Sequence, residues 1–199
     1  VYSTGVDPKI PPVDLLAVDF NEKLNDHKSS RAKASEIENA IKHHIKINLE
    51  DDPEYYKSLS ERLKDIIKKH ETKWDELVQL LMDFRFNIEE ERVQGAHDLG
   101  LSETEFAFHN ILMAELTQSI GDESIDQSTN DKVKQVVQSL VQMMDEATKI
   151  IGFFDKWDEQ KRMRVQIKRA ILECFDKELV KPVTERFMEL ARVKFNDEH

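Results

Sequence analysis

Residues 133–151 read VKQVVQSLVQMMDEATKII, and Val133, Val136, Val137, Leu140, Val141, Met144, Ala147 and Ile151 recur at steps of three and four. That period lays a broad apolar stripe along one face of a helix. The β-branched valines are poor helix formers, so packing must hold them there. Gly152 breaks the pattern on the C-terminal side. On the N-terminal side lies Gly121 to Asn130, rich in Asp, Ser and Gln, the longest polar gap in the chain and the expected internal loop. It divides the sequence into two halves. Before it, Ser102 followed by Glu105 matches a capping box, which opens a helix through Phe106, Leu112, Met113, Leu116 and Ile120. Apolar residues spread widely around that helix, so it should be the more buried one.

Working further outward, Leu15, Leu16, Phe20 and Leu24 fit a short helix that His27-Lys28-Ser29-Ser30 ends or kinks. From about Ala32, the positions Ala34, Ile37, Ile41, His44, Ile45 and Asn48 keep helical spacing up to Glu50-Asp51-Asp52-Pro53. Asp52 suits an N-cap and Pro53 the first helical position. Tyr56, Leu59, Leu63, Ile66 and Ile67 follow, and Trp74, Leu77, Val78, Leu81, Phe84 and Ile88 continue the period, predicting one long helix stopped between Gly95 and Gly100. Beyond Gly152, Met163, Ile167, Ile171 and Cys174 mark a helix for which Asp155 or Asp158 is the expected cap. Cys174 falls on the apolar stripe and should be a small buried hydrophobe. Val183, Phe187, Leu190 and Ala191 mark a last helix opened by Pro182. The sum is an all-α fold, an antiparallel multi-helix array of about eight helices.

Composition agrees with that reading. The 199 residues hold only five Gly and five Pro, with 35% charged and 39% hydrophobic side chains, a balance favouring helices over sheet. No stretch approaches the roughly 20 apolar residues of a membrane span, and no signal-peptide profile is seen, so a cytoplasmic protein is expected. A single cysteine rules out an internal disulfide. The net charge of −11 argues against nucleic-acid binding by the whole surface and confines any DNA contact to a local patch. Val1 to Pro8, with Pro11 and Pro12, reads as an extended connection from a longer chain.

Several chemistries are looked for and missing. A di-iron bundle needs Glu-x-x-His pairs, and no histidine here has a Glu three places before it. His70-Glu71 begins a zinc-protease pattern, but Trp74 stands where the second His is required. No phosphate-binding glycine loop, GxSxG elbow or paired cysteines occur. His43 and His44 point to different faces of a helix, one half-buried and one solvated. Glu50-Asp51-Asp52 and Glu89-Glu90-Glu91 read as solvated helix ends or faces rather than divalent-ion sites. Neither a catalytic, a cofactor nor a metal site is expected.

One local feature departs from the overall charge. Lys161, Arg162, Arg164, Lys168 and Arg169 crowd within nine positions of one helix, with Lys161, Arg164 and Lys168 on one side and Met163, Ile167 and Ile171 toward the core. Phe153, Phe154 and Trp157 stand just before them, around a helix break. Aromatics beside arginines compose interface hot spots, so these eight residues are the candidate partner or DNA contacts. The other reading is a core-closing aromatic loop with a solvated basic face.

Larger segments carry a family likeness. Pro11-Pro12-Val13-Asp14-Leu15-Leu16, then Lys33-Ala34-Ser35-Glu36-Ile37-Glu38-Asn39-Ala40-Ile41-Lys42-His43-His44-Ile45, resemble the C-terminal region of the R (restriction, motor) subunits of type I restriction-modification enzymes. Asp51-Asp52-Pro53-Glu54-Tyr55-Tyr56-Lys57-Ser58-Leu59-Ser60-Glu61-Arg62-Leu63 and Ile151-Gly152-Phe153-Phe154-Asp155-Lys156-Trp157-Asp158-Glu159-Gln160-Lys161-Arg162 extend it, and Glu189-Leu190-Ala191-Arg192-Val193 fits its end. The likeness runs from about Pro11 onward, carried by helical surface patterns.

The resemblance implies a parent with a nuclease domain first, two helicase-like ATPase domains next and a helical domain last. Residues 1–12 would then be the linker leaving a motor domain, and 13–199 the C-terminal helical domain. The parent would be an ATP-dependent type I site-specific deoxyribonuclease that translocates DNA, with ATP and Mg held in its other domains. The domain itself would be no enzyme. Its partners would be the methyltransferase core of the restriction complex and the motor and nuclease domains of its own chain. Two alternatives stand beside this docking role: a helical module contacting the DNA backbone directly, and a free-standing helical adaptor.

Overall fold

The computed structural model describes Leu15, Ala17 and residues 20–25, 29–121 and 125–196. Among these, eight α-helices form and no strand: α1 Phe20–Asn25, α2 Ser30–Asn48, α3 Pro53–Lys69, α4 Trp74–Leu99, α5 Glu103–Ile120, α6 Gln127–Thr148, α7 Trp157–Cys174 and α8 Lys177–Phe195. The all-α expectation is met. The connection expected at 1–12, and Leu16 with His27 and Lys28, lie outside the described residues.

Two compact units divide the chain, one from residues 1–48 and 57–88, the other from 49–56 and 89–199. The polar segment 121–130 falls inside the second unit rather than between the two. In the first unit, α1 packs on α2, and Ala34, Ile37, Ile41 and Ile45 are buried along α2 as their spacing predicts. His44 is buried beside Ile45 while His43 is exposed. Arg85 ties down the chain before α1, its Nε donating to the Leu15 carbonyl at 2.5 Å and its guanidinium lying 4.2 Å over the Phe20 ring. Leu15 is buried too, but neither it nor Ala17 is helical, so the expected early helix does not reach back to Leu15.

The long helix predicted from Pro53 onward is two helices. Residues 68–73 read KKHETK and offer no apolar side chain to bury. There the chain turns, with His70 N–H donating to the Ile67 carbonyl at 3.2 Å and Lys73 N–H to that of His70 at 3.0 Å. The expected stop between Gly95 and Gly100 is met, with Gly95 itself still inside α4. Gly95 sits so close to α5 that a Cβ there would meet Phe106 Cζ at 2.9 Å. The stop comes at Gly100, whose φ of +66° allows paired bonds from Gly100 N–H to the His97 carbonyl and from Leu101 N–H to that of Ala96, both 2.9 Å.

The second unit holds the main core. Here α5 packs against α6 and α8, and α7 against α6 and α8. The capping box opens α5: Ser102 Oγ accepts from Glu105 N–H at 3.2 Å, while Glu105 accepts from Ser102 N–H at 2.7 Å. Ala107, Phe108, Ile111, Leu112 and Leu116 then bury around much of that helix. Phe108 meets Phe187 of α8 edge to face at 5.0 Å, and Val133, Val137, Leu140, Val141 and Met144 supply the α6 side.

Three details at the C-terminal end differ from expectation. Neither Asp155 nor Asp158 caps α7. Lys156 holds that position without a side-chain bond, and Asp158 and Glu159 lie in the first turn, where they complement the helix dipole. Pro182 lies inside α8, because Leu179 and Val183 are both buried and carry the helix back to Lys177. Cys174 is exposed. It is the last residue of α7, where the chain swings out and Phe175 takes the partly buried place against the core instead.

Candidate interaction surface

The corner leading into α7 begins at Gly152, whose φ of +66° is open to glycine at little cost. It sends Phe153 and Phe154 inward, with their rings edge to face at 5.0 Å. Both are buried in the core. Gln160 fixes the corner from the next helix, Nε2 donating to the Phe154 carbonyl at 2.7 Å. Of the three aromatics singled out in the sequence, therefore, two close the core. Trp157 alone faces outward, 68% exposed.

Met163, Ile167 and Ile171 bury one side of α7, which fixes what the opposite side presents. Trp157, Lys161, Val165, Lys168, Arg169 and Leu172 all face solvent. Val165 and Leu172 are 48% and 58% exposed, large values for aliphatic side chains. Lys161 Nζ lies 4.7 Å from the Trp157 ring centroid, a cation–π contact. The remaining two cations belong elsewhere. Arg162 pairs within the helix with Glu159 at 2.8 Å. Arg164, expected on one side with Lys161 and Lys168, turns toward α8 and pairs with Glu185 at 2.7 Å. Neither Lys168 nor Arg169 has an acidic partner among the described residues.

Beside Arg164 opens a cleft of about 570 Å³, lined by Leu49, Phe154, Arg164, Arg186, Leu190 and Arg192 among others. Its cations are engaged: Arg186 bridges Glu54 and Glu115, and Arg192 lies 5.6 Å over Phe154. Glu50, Glu185 and Glu189 share the lining, so the cleft carries no strong sign of charge.

A buried polar cluster lies nearby in the same unit. Asp52 caps α3, accepting from Tyr55 N–H at 3.2 Å, yet it is fully buried rather than a solvated helix end. Asn110 of α5 donates to both its oxygens at 3.3 and 3.2 Å, and Arg92 Nε of α4 stands 3.8 Å away while its Nη1 holds Glu103 at 2.7 Å. Burial pushes the Asp52 carboxyl up, against the opposing pull of Tyr55 N–H, Asn110, Arg92 and Lys194. Asp51 is drawn in as well, by Lys194 at 3.0 Å. Asp52 was readable as a cap, but its partners were not. The available signal was Arg92 itself, four residues beyond Ile88 on the stripe of Leu77, Leu81, Phe84 and Ile88.

His109 is also buried, its ring stacked on Phe106 at 6.3 Å. Neither ring nitrogen has a hydrogen-bonding partner among the described residues. Burial pushes its imidazole below the ordinary value, although Asn110 beside it holds back part of the fall. Among the described residues no three His, Cys, Asp or Glu side chains converge as a metal site would require, and no helix is long and apolar enough to cross a membrane.

With this surface mapped, the comparison with known proteins is decisive for kinship. The family pattern of the type I restriction enzyme HindI endonuclease subunit-like C-terminal region matches residues 4–193. The chain belongs to that family. The resemblance read from Pro11-Pro12 through Val193 is therefore borne out. A protein of Methanocaldococcus jannaschii carrying the name type I restriction enzyme MjaIXP endonuclease subunit is 24% identical over 157 residues. That alignment covers 74% of this chain and 14% of the relative, so the chain spans about a seventh of the relative's length. No solved structure matches the chain.

Proposed function

We propose that this chain is the non-catalytic C-terminal helical domain through which a type I restriction endonuclease subunit docks onto the methyltransferase core. The observation that carries the reading is the outer face of α7, where exposed apolar side chains alternate with cations on a chain of net charge −11. Membership of a family of C-terminal regions from restriction endonucleases supplies the context. ATP, Mg and the nuclease and motor chemistry belong to the rest of the parent, in the cytoplasm, and this domain couples those parts to the subunits that choose the DNA site.

The test is a titration of this chain against its cognate methyltransferase core, with duplex DNA as a parallel ligand at two salt concentrations. Saturable binding to the core, with a salt dependence shallower than that of duplex DNA, is the expected result. Absence of binding to the core at micromolar concentrations would remove the docking role. A second reading, direct contact with the DNA backbone, draws support from Lys168 and Arg169, which lack acidic partners among the described residues. Each phosphate neutralised on duplex DNA adds about 0.9 to the slope of log affinity against log salt, so binding to duplex alone with a steep slope would favour it.

A further inference from the structure

Along the exposed side of α7, Lys161, Val165, Lys168 and Leu172 follow one another at steps of four, three and four. That is the spacing with which one helix meets another in a coiled coil. With Trp157 at its head and Arg169 on its flank, the face extends over roughly 22 Å at about 1.5 Å per residue. We propose that this face is the seat of an acidic amphipathic helix, which places apolar side chains against Trp157, Val165 and Leu172 and carboxylates against Lys161, Lys168 and Arg169. The proposal takes its surface from the docking reading and adds the chemistry of what docks there.

The charge pattern selects this occupant. Lysines at two of the four seam positions disfavour burial unless the facing helix supplies carboxylates at the matching heights. A second copy of α7 would set Lys161 and Lys168 against their own kind, so pairing of this face with itself is disfavoured. Duplex DNA fits less well. Phosphates gain nothing from Val165 and Leu172, and a polyanion of that size reaches well past the basic strip to the acidic remainder of the chain. A single helix is only about 10–12 Å across. Screening over about 8 Å at physiological salt lets it register the strip and little else. Arg162 and Arg164 do not enter the seat, since Glu159 and Glu185 occupy them.

The experiment uses this chain and two labelled three-heptad peptides, followed by fluorescence anisotropy. Both carry leucine at the seam; one has glutamates flanking it and the other lysines. The acidic peptide should bind saturably, at least tenfold tighter than the basic one. Lys161→Glu with Lys168→Glu should reverse that preference, and Val165→Ser with Leu172→Ser should weaken the acidic peptide several-fold, with thermal melting unchanged in both pairs. Equal affinity for the two peptides, or unaltered binding by the charge-reversed chain, would overturn the proposal. So would tight binding of a 20-base-pair duplex that the same reversal abolishes while the acidic peptide fails to bind. The two readings fail separately. A chain that binds the methyltransferase core with or without the reversal keeps its docking role and loses this seat, whereas one that binds the acidic peptide but not the core keeps the seat and loses the docking role.

Discussion

Two sets of charges in the second unit have opposite fates. Around the start of α3, buried Asp52 accepts from Asn110 and lies 3.8 Å from the Arg92 guanidinium, which also holds Glu103, and Glu54, Glu115 and Arg186 form a partly buried second group. On the outer face of α7, Lys161 leans on an indole, and Lys168 and Arg169 have no acid to meet among the described residues. Charges of the first kind are committed to the fold, because a lost partner leaves another polar group stranded in a low-dielectric interior. Those of the second kind cost the fold little and remain available to something else. Charge count alone would have ranked the acidic run at Glu50-Asp51-Asp52 and the basic run at Lys161 to Arg169 as equivalent surface features.

Breaking the first set should have the largest effect. Asp52→Ala removes the α3 cap, takes from Asn110 its acceptor and leaves Arg92 with Glu103 alone, so a loss of about 3 kcal/mol is expected in urea unfolding. Asp52→Asn keeps an acceptor for Tyr55 N–H and discards a charge that burial disfavours, and it should restore more than half of that loss. If the alanine change costs under about 1 kcal/mol, the typical worth of a cap alone, the cluster is not committed to the fold and the contrast collapses. Next comes Arg186→Met, which leaves Glu54 and Glu115 facing each other. Because the three side chains are partly exposed, screening limits the expected loss to about 1–2 kcal/mol by the same measurement.

His109 sharpens the comparison through pH. Its folded imidazole titrates below the ordinary 6.5, so as the pH falls the unfolded chain takes up the proton first. The stability it permits at neutral pH is accordingly lost as the pH drops through about 6.5 and below. His109→Leu should flatten that limb of the melting temperature against pH, between about pH 7 and 5, and an unchanged slope would assign the effect to other groups. The smallest effect belongs to α7. Lys161→Glu and Lys168→Glu together should move stability by less than about 0.5 kcal/mol, because their cost falls on binding. A larger shift would place these lysines among the committed charges.

Elements set by local chemistry could be read directly. Ser102 with Glu105, Asp52 before Pro53 and the glycine at 152 each act within a few residues of themselves, and the structure keeps all three. The break between α3 and α4 escaped for a geometric reason. Ile67 and Trp74 are seven residues apart, close to two helical turns, so the period stays in phase across a real turn. Pro182 misled in the opposite way: proline favours a helix start, but Leu179 anchors a turn ahead of it. At the candidate surface, the spacing of Met163, Ile167 and Ile171 revealed the outer face of α7. The sequence left the inward turn of Phe153 and Phe154 as one of two open readings and did not reveal that Arg164 is taken by Glu185, since both depend on where α6 and α8 come to lie.

The chain has two tryptophans, and each compact unit holds one. Trp74 lies in the first unit under the Arg31 guanidinium, 5.4 Å from its ring centroid, and Trp157 in the second stands open to solvent beside Lys161. Trp74→Phe leaves an emission spectrum that belongs to the outer face of α7 alone, and Trp157→Phe leaves one that belongs to the first unit. The chain thus carries a built-in optical reporter for each unit, so the melting of one can be followed without interference from the other.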